Sequence, residues 1–293
     1  MKIKEGKIPF KEFKTYYRIV NPESKKIPLI LLHGGPGSTH NYFETLDALA
    51  EIDDRPLVMY DQIGCGESMV TGHPELFKAE VWLEELGEIR KHLNLDEVHI
   101  LGQSWGGMMA IWNAIEKKPQ GVKSYILSST LSSAKLWKEE QYRRIAYMPQ
   151  DMQEAIHKAV ATDNYEAKEY QEALAEFMQR HCAGDITEDS PECLRRSKIA
   201  GTEAYIVGWG HNEFLPTGTL SGYEFTERLN EINTPCLITN GQSDLCSPYV
   251  AKTMYDNLPN AEWELFANSR HMPFVEENEK YIKVLQTWLN KND

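Results

Sequence analysis

The sequence has no run of apolar residues that approaches the roughly 20 needed to cross a membrane. Its opening stretch, MKIKEGKIPF, lacks the apolar core of a signal peptide. Basic side chains are also in the minority, with 31 Lys and Arg against 44 Asp and Glu and a formal net charge of −13. Such an acidic balance disfavours binding to nucleic acid or to an anionic membrane surface. We therefore expect a protein of the cytoplasm that binds neither.

Cysteine is scarce, and its arrangement excludes two kinds of site. The cysteines are odd in number and show no C-x-x-C spacing. They are Cys65, Cys182, Cys193, Cys236 and Cys246. Neither a disulfide framework nor a zinc site is supported, and we expect free thiols in a reducing compartment.

Apolar patterning over the 293 residues indicates an α/β protein. The first 20 residues alternate as in a β-hairpin, and continuous apolar runs at 28–32 and 56–61 are typical of strands buried on both faces. From about 131 to 232 the spacing of apolar residues is helical, and strand-like sequence resumes at 235. We predict a mostly parallel central sheet with helices on both faces. Its core domain comprises residues 1–130 and 233–293, and residues 131–232 form an inserted helical cap domain.

The most informative stretch is 98–107, which reads VHILGQSWGG. An apolar strand-like run leads into Ser104, which lies within a G-x-S-x-G pattern. The two glycines of the pattern, Gly102 and Gly106, carry no Cβ, so a strand and a helix can approach closely around a strained serine. The pattern predicts a nucleophilic serine at a sharp turn from strand to helix.

Two further residues follow predicted strands in the same way. Asp244 comes after the strand that starts near 236, and His271 comes after the strand at 262–267. The carboxyl ends of parallel strands meet at one edge of a sheet, so Ser104, Asp244 and His271 are expected to meet there. Their order along the chain resembles that of α/β-hydrolases. In that arrangement the serine attacks a carbonyl, the histidine carries its proton and the aspartate orients the histidine.

Taken singly, each of these residues has a structural interpretation as well. A serine such as Ser104 in a glycine-rich turn is usually structural. Asp244 is also typical of a helix cap, and His271 of a surface loop. His211 is the other candidate for the base. We interpret His33 as an architectural loop residue, and His92 and His99 as surface residues.

A second glycine-rich segment, HGGPG at 33–37, directly follows the apolar run at 28–32. Its backbone can approach a ligand without obstruction by side chains. We predict an oxyanion hole formed by the N–H groups of Gly35 and Trp105. Pro36 has no N–H and cannot serve. The structural alternative for this segment is an ordinary turn from strand to helix.

These motifs, with YDQIGCGES at 60–68, GQSD at 241–244 and SRH at 269–271, resemble the proline iminopeptidases among the α/β-hydrolases. The resemblance runs nearly the whole chain. It implies a serine aminopeptidase that releases an unblocked N-terminal residue, preferentially proline, from short peptides through an acyl-enzyme. It also implies that no metal or cofactor is used and that a small peptide or amino acid amide is the substrate.

The segment GHNEF at 210–214 resembles a family motif whose glutamate holds the α-ammonium group of the substrate, which assigns that role to Glu213. Some members place a second glutamate directly after the triad aspartate, where this chain has Leu245. A set of aromatic residues has two interpretations, as the wall of a side-chain pocket or as packing of the cap. It comprises Trp105, Trp137, Trp209 and Phe214.

Two alternatives remain open at this point. The same triad is consistent with an α-amino acid amidase or a small-ester hydrolase. A catalytically silent α/β-hydrolase fold that binds a ligand or a partner protein is the alternative outside enzymes, although such chains usually lose a triad residue or the glycine loop. A dehalogenase or epoxide hydrolase with an aspartate nucleophile is disfavoured because the turn position holds Ser104.

Overall fold

The computed structural model describes residues 2–293, whose strands form one eight-stranded sheet. The strands are β1 (Ile3–Phe10), β2 (Phe13–Val20), β3 (Leu29–Leu32), β4 (Leu57–Tyr60), β5 (Val98–Gln103), β6 (Val122–Ser128), β7 (Cys236–Gly241) and β8 (Ala261–Phe266). Their order in the sheet is β1-β2-β4-β3-β5-β6-β7-β8. The predicted opening hairpin is confirmed, since β1 and β2 pair antiparallel. All pairs from β4 to β8 are parallel, which confirms the mostly parallel sheet.

Helices cover both faces of this sheet. They are α1 (Asp47–Ile52), α2 (Ala79–His92), α3 (Trp105–Trp112), α4 (Ala134–Ile145), α5 (Gln150–Thr162), α6 (Lys168–His181), α7 (Glu192–Arg195), α8 (Thr202–Gly208), α9 (Pro248–Asn257), α10 (Pro273–Glu276) and α11 (Asn278–Asn292). Short 3-10 turns lie at His40–Leu46, Gly66–Ser68, Pro74–Leu76 and Thr226–Glu231, and a π-turn at Asn113–Lys117 follows α3. Among the helices of residues 2–293, none combines the length and apolar character needed to cross a membrane.

The alternation of side chains along β3 explains why the sheet is buried on both faces. Ile30 and Leu32 belong to one hydrophobic core, which includes residues of α2 and α3. Leu29 and Leu31 point the other way, into a second core closed by α11. Every residue of β3, β4 and β5 is buried. A continuous apolar sequence is therefore what these central strands require.

Helices α4 to α8 lie between β6 and β7, in the segment where the sequence predicts helices. Within the described residues this segment contains no strand, and a single β-bridge joins Ser133 to Glu224. Phe177 on α6 is fully buried and belongs to the same core as α2 and α3. Helix α6 therefore packs on the sheet side that carries α3, whereas Cys193 and Leu194 of α7 belong to the second core.

His99 corrects one sequence-based interpretation. The prediction that it lies at the surface is wrong, because it is fully buried on the central strand β5. Its Nδ1 lies 2.8 Å from the Ser124 hydroxyl, and burial lowers its pKa to about 4. His92 does lie at the surface, and all five cysteines are free thiols.

Candidate active site

Ser104 occupies the turn between β5 and α3 in a strained backbone conformation. Its φ is 55° and its ψ is −121°, a region that residues with a side chain rarely adopt. Backbone contacts hold it there: the Ser104 N–H donates to the carbonyl of Ser128 at 2.9 Å, and the Thr130 hydroxyl donates to the Ser104 carbonyl at 2.7 Å. The sharp turn expected from the G-x-S-x-G pattern is present.

The glycines around Ser104 are required by close backbone contacts. A Cβ on Gly102 would overlap the carbonyl of Gly106, and a Cβ on Gly106 would overlap the carbonyl of Leu32. The first turn of α3 thus lies directly against the ends of β5 and β3, which confirms the steric role predicted for the two glycines.

This packing predicts opposite effects of two glycine-to-alanine changes. Gly106→Ala should lower the free energy of unfolding by about 1–3 kcal/mol or more, because backbone must move to admit the methyl group. Gly87→Ala on α2 should raise it by up to about 1 kcal/mol, because a Cβ there meets open space and alanine favours helix. Urea unfolding of both variants measures the difference. Equal effects would contradict the close packing of α3.

Asp244 and His271 lie on the turns that follow β7 and β8, and they contact each other. The Nδ1 of His271 lies 2.6 Å from Oδ1 of Asp244. The carboxylate also accepts the N–H of Gly241 at 3.1 Å and that of Cys246 at 2.8 Å, so it is fixed on its own turn. Because the ionised carboxylate only accepts, Nδ1 carries the proton and Nε2 is left free as a base.

A cavity of about 490 Å³ brings most of the predicted residues together. Ser104 and His271 both line it, as do Gly35 and Glu213. Its wall also includes Pro36, Gly37, Ser38, Thr39, Tyr42, Gln103, Met178, Cys182, Lys198, Ala200, Gly201, Thr202, Tyr205, Leu245 and Met272. Burial raises the pKa of Cys182 to about 12, so this thiol stays protonated and is a poor nucleophile.

Glu213 is the one carboxylate side chain, within residues 2–293, that lines this cavity. Its Oε2 accepts the Tyr205 hydroxyl at 2.8 Å. Burial raises the pKa of Glu213, while the Tyr205 hydrogen bond and the nearby His271 act in the opposite direction. The turn that carries it is held by Asn212, whose Oδ1 accepts the N–H groups of Phe214 and Leu215 at 3.0 and 2.8 Å.

The glycine loop after β3 presents Gly35 to the cavity. The neighbouring N–H of Gly34 is already committed, since it donates to the Tyr42 hydroxyl at 2.6 Å. Gly35 has a φ of 111°, which is accessible to glycine but strained for other residues. On the other side of Ser104, Trp105 begins α3, so its N–H has no acceptor within the helix. Its side chain does not line the cavity.

His33 joins the two glycine-rich loops at this edge of the sheet. Its Nε2 accepts the N–H of Gln62 at 3.0 Å, and the Gln62 side chain donates to the His33 carbonyl at 2.9 Å. Burial lowers the pKa of His33 to about 4, which keeps the ring neutral as this contact requires. The architectural interpretation agrees with these contacts.

A family model described as alpha/beta hydrolase fold matches residues 27–278. Proline iminopeptidase of Clostridioides difficile (strain 630) is 71% identical over 295 residues, with 100% of both chains covered. The chain belongs to the proline iminopeptidase family. It is therefore an enzyme, a serine hydrolase of the α/β-hydrolase fold.

Solved structures agree with this membership. The crystal structure of VinJ superposes with a TM-score of 0.90 at 30% identity and covers 99% of each chain. Proline iminopeptidase of Mycobacterium smegmatis superposes with a TM-score of 0.87 at 27% identity, over 99% of this chain and 98% of that one.

The structure does not support two interpretations from sequence that concern this cavity. His211 is exposed and stacks on Tyr165 with ring centroids 5.8 Å apart, and it does not line the cavity. The aromatic residues Trp105, Trp137, Trp209 and Phe214 are buried and do not line it either. Their interpretation as a pocket wall is wrong, and packing is their role. Trp137, for example, donates through Nε1 to the Glu213 carbonyl at 3.0 Å.

Leu245 takes the position where some family members have a second glutamate. Its side chain is buried and lines the cavity, so this position adds an apolar wall instead of a carboxylate. Tyr205, which the sequence did not single out, supplies a hydroxyl to Glu213 from α8. The polar surroundings of Glu213 therefore differ from a pair of glutamates.

Contacts from the inserted helices to the turns that carry Asp244 and His271 were also not predicted. Arg144 on α4 is buried, and its Nη1 donates to the backbone carbonyl of Asp244. At the end of α6, the carbonyl of His181 accepts the Leu245 N–H at 3.0 Å, and that of Cys182 accepts the His271 N–H at 3.1 Å. The inserted helices thus bind the backbone of both turns.

Proposed function

We propose that the cavity around Ser104 is where this prolyl aminopeptidase releases an unblocked N-terminal residue, preferentially proline, from short peptides. The observation that carries the proposal is the presence of the Glu213 carboxylate in the same cavity as Ser104 and His271. An aminopeptidase must hold a cation at a fixed distance from the bond it cleaves, and a partly desolvated carboxylate suits this task.

The proposed reaction has two stages. Ser104 Oγ attacks the carbonyl carbon of the first residue while His271 Nε2 takes its proton. The C–N bond then breaks, and His271 gives that proton to the departing amine, which leaves an acyl-enzyme on Ser104. Water next attacks the ester with His271 as the base, and the free amino acid and the serine hydroxyl are regenerated. Asp244 keeps the proton on Nδ1 and stabilises the imidazolium in both stages.

The carbonyl oxygen becomes negatively charged in both stages. We propose that the N–H groups of Gly35 and Trp105 donate to it. Gly35 lines the cavity, and the Trp105 N–H lies at the positive end of α3, next to the nucleophile. Loss of one such donor typically lowers kcat by about 10²–10³-fold.

Glu213 is proposed to bind the substrate's α-ammonium group, with Tyr205 orienting the carboxylate. The positive charge of that ammonium group lowers the free-energy cost of keeping the buried Glu213 ionised. An acetylated amine carries no positive charge to pair with Glu213, and its acetyl group adds bulk next to that carboxylate. Peptides with a blocked N-terminus are therefore expected to be poor substrates.

The proposal extends to the organisation of the chain. We propose that residues 131–232 form a cap domain over a core domain of residues 1–130 and 233–293. The cap domain supplies Glu213 and Tyr205, and the core supplies Ser104, Asp244 and His271. We also propose that the enzyme acts in the cytoplasm on small peptides or amino acid amides.

A panel of p-nitroanilides of Pro, Ala and Leu, each with a free and an N-acetylated amine, tests the function. We expect the highest kcat/KM for free proline and little cleavage of the acetylated compounds. Comparable rates on free and blocked substrates would contradict the ammonium site and favour a general amidase or esterase. No turnover of any compound by folded protein would favour a silent ligand-binding fold.

Arg144 gives a prediction about how the cap domain supports the triad. Arg144→Met should lower kcat for proline p-nitroanilide by about 10–100-fold with a smaller change in KM, because the Asp244 turn loosens and misorients His271. Arg144→Lys should recover part of the loss. The matched control is Arg143→Met, since Arg143 is exposed and pairs with Glu140 at 2.7 Å. A wild-type kcat in Arg144→Met would contradict this positioning role.

A further inference from the structure

The segment between α7 and α8 lies directly on the two glycine-rich loops. Arg196 pairs with Glu44 at 2.7 Å, and the carbonyl of Ile199 accepts the N–H of Gly66 at 2.8 Å. Gly201 donates to the carbonyl of Gly37 at 2.7 Å, and a Cβ on Gly37 would overlap the carbonyl of Gly201. These contacts fix the backbone on both sides of Lys198.

Lys198 lines the active-site cavity from this anchored segment. Apart from His271, it is the one basic side chain to do so among residues 2–293. No hydrogen bond or ion pair of its ammonium group occurs within the described residues. The nearby carboxylate of Glu44 already forms ion pairs with Arg196 and Arg18. Lys198 therefore presents an unpaired positive charge to the cavity.

The surroundings of Lys198 favour an anion. The side chain is exposed, yet partial desolvation lowers the pKa of its ammonium group. The charge of Arg196 acts in the same direction, and Cys193 and Glu44 act in the opposite direction. A bound anion would compensate the positive charge that the protein leaves unbalanced.

The cavity therefore carries two opposite charges that are not partners of each other. Glu213 interacts with Tyr205 and His271. Lys198 interacts instead with Arg196, Glu44 and Cys193. A short peptide with free ends carries the complementary pair, an ammonium group at one end and a carboxylate at the other. In a dipeptide these ends are only about 7 Å apart when extended.

We propose that Lys198 binds the terminal carboxylate of di- and tripeptide substrates and so selects short peptides with a free C-terminus. The proposal rests on the proposed function, because it requires that Glu213 hold the amine while Ser104 attacks the first peptide bond. Lys198 is then a specificity-determining residue on the leaving-group side of the cavity.

The test compares kcat/KM for Pro-Gly and Pro-Gly-Gly with that for their C-terminal amides. Wild type should prefer the free acids by about three- to fivefold, as for a partly exposed ion pair, and high ionic strength should reduce the preference. Lys198→Met should bring the acid-to-amide ratio to about one, and Lys198→Glu should bring it below one. The control is Lys138→Met, an exposed lysine outside the cavity, which should keep the wild-type ratio.

The ratio separates this role from a structural one. If Lys198 only supports the loop, its variants lose activity equally on acids and amides and the ratio stays at the wild-type value, which would overturn the proposal. A ratio of one in the wild type would overturn it as well. If the wild type cleaves neither acids nor amides but remains folded, the proposed function itself fails, and the assignment to Lys198 fails with it.

Discussion

Ser104→Ala should lower kcat for proline p-nitroanilide by at least about 10⁴-fold, the largest effect expected of any single change. Alanine lacks the hydroxyl that forms the acyl-enzyme, and what remains is the contribution of substrate binding and the oxyanion hole. The fold should persist, because a small side chain replaces another at a position whose backbone is held by Ser128 and Thr130.

Two controls make this result specific. Isothermal titration with Pro-Gly should still detect binding to Ser104→Ala, because the ammonium site is intact. Ser221→Ala, at an exposed position outside the cavity, should keep wild-type turnover. More than a few per cent of wild-type activity in Ser104→Ala, once contamination is excluded, would contradict Ser104 as the nucleophile.

Glu213→Gln should lower kcat/KM for proline p-nitroanilide by about 10²-fold, the second largest effect. The amide keeps the shape of the side chain and removes the charge that we propose binds the substrate's ammonium group. Hydrolysis of p-nitrophenyl acetate, which has no amine, should change far less. Glu227→Gln, an exposed residue outside the cavity, is the matched control. Equal losses on both substrates would mean that Glu213 has a structural role.

The same residue predicts a pH dependence. Burial raises the pKa of Glu213, so its carboxylate takes up a proton at a higher pH than an ordinary glutamate does. As the pH falls, kcat/KM for the free-amine substrate should decline relative to that for p-nitrophenyl acetate. Taking the ratio removes effects on the catalytic steps that both reactions share. In Glu213→Gln the ratio should be independent of pH over the same range.

The sequence was sufficient for the features that local pattern determines. Continuous apolar runs predicted the buried strands β3 and β4, because side chains on both faces of those strands meet a core. The glycines around Ser104 predicted a close approach that the backbone contacts display. Asp244 and His271 could be placed on one edge because the strands before them are parallel neighbours.

Other features depend on contacts between distant parts of the chain, and the sequence did not reveal them. Arg144 reaches the carbonyl of Asp244, 100 positions further along, and nothing near either residue indicates the contact. Tyr205 and Lys198 line the cavity only because α8 and the segment before it fold against the glycine-rich loops. His99 was misassigned because a polar residue near the start of a strand suggests exposure. Inside the protein, the Ser124 hydroxyl provides a hydrogen-bond partner for the His99 ring.

The aromatic residues of the inserted segment show a related limit. Trp137 and Trp209 are as compatible with a substrate pocket as with packing, since both environments are apolar. In the structure their rings pack edge to face with centroids 6.0 Å apart, and smaller apolar residues such as Met178 and Leu245 line the cavity. Composition alone does not distinguish the two uses.

Reaction with a fluorophosphonate probe, followed by mass spectrometry of the intact protein and of its peptides, tests the catalytic assignment most directly. The account predicts one adduct per chain, on Ser104, formed rapidly in the wild type and at a greatly reduced rate in His271→Ala. An unmodified folded protein, or an adduct on another residue with Ser104 intact, would contradict it.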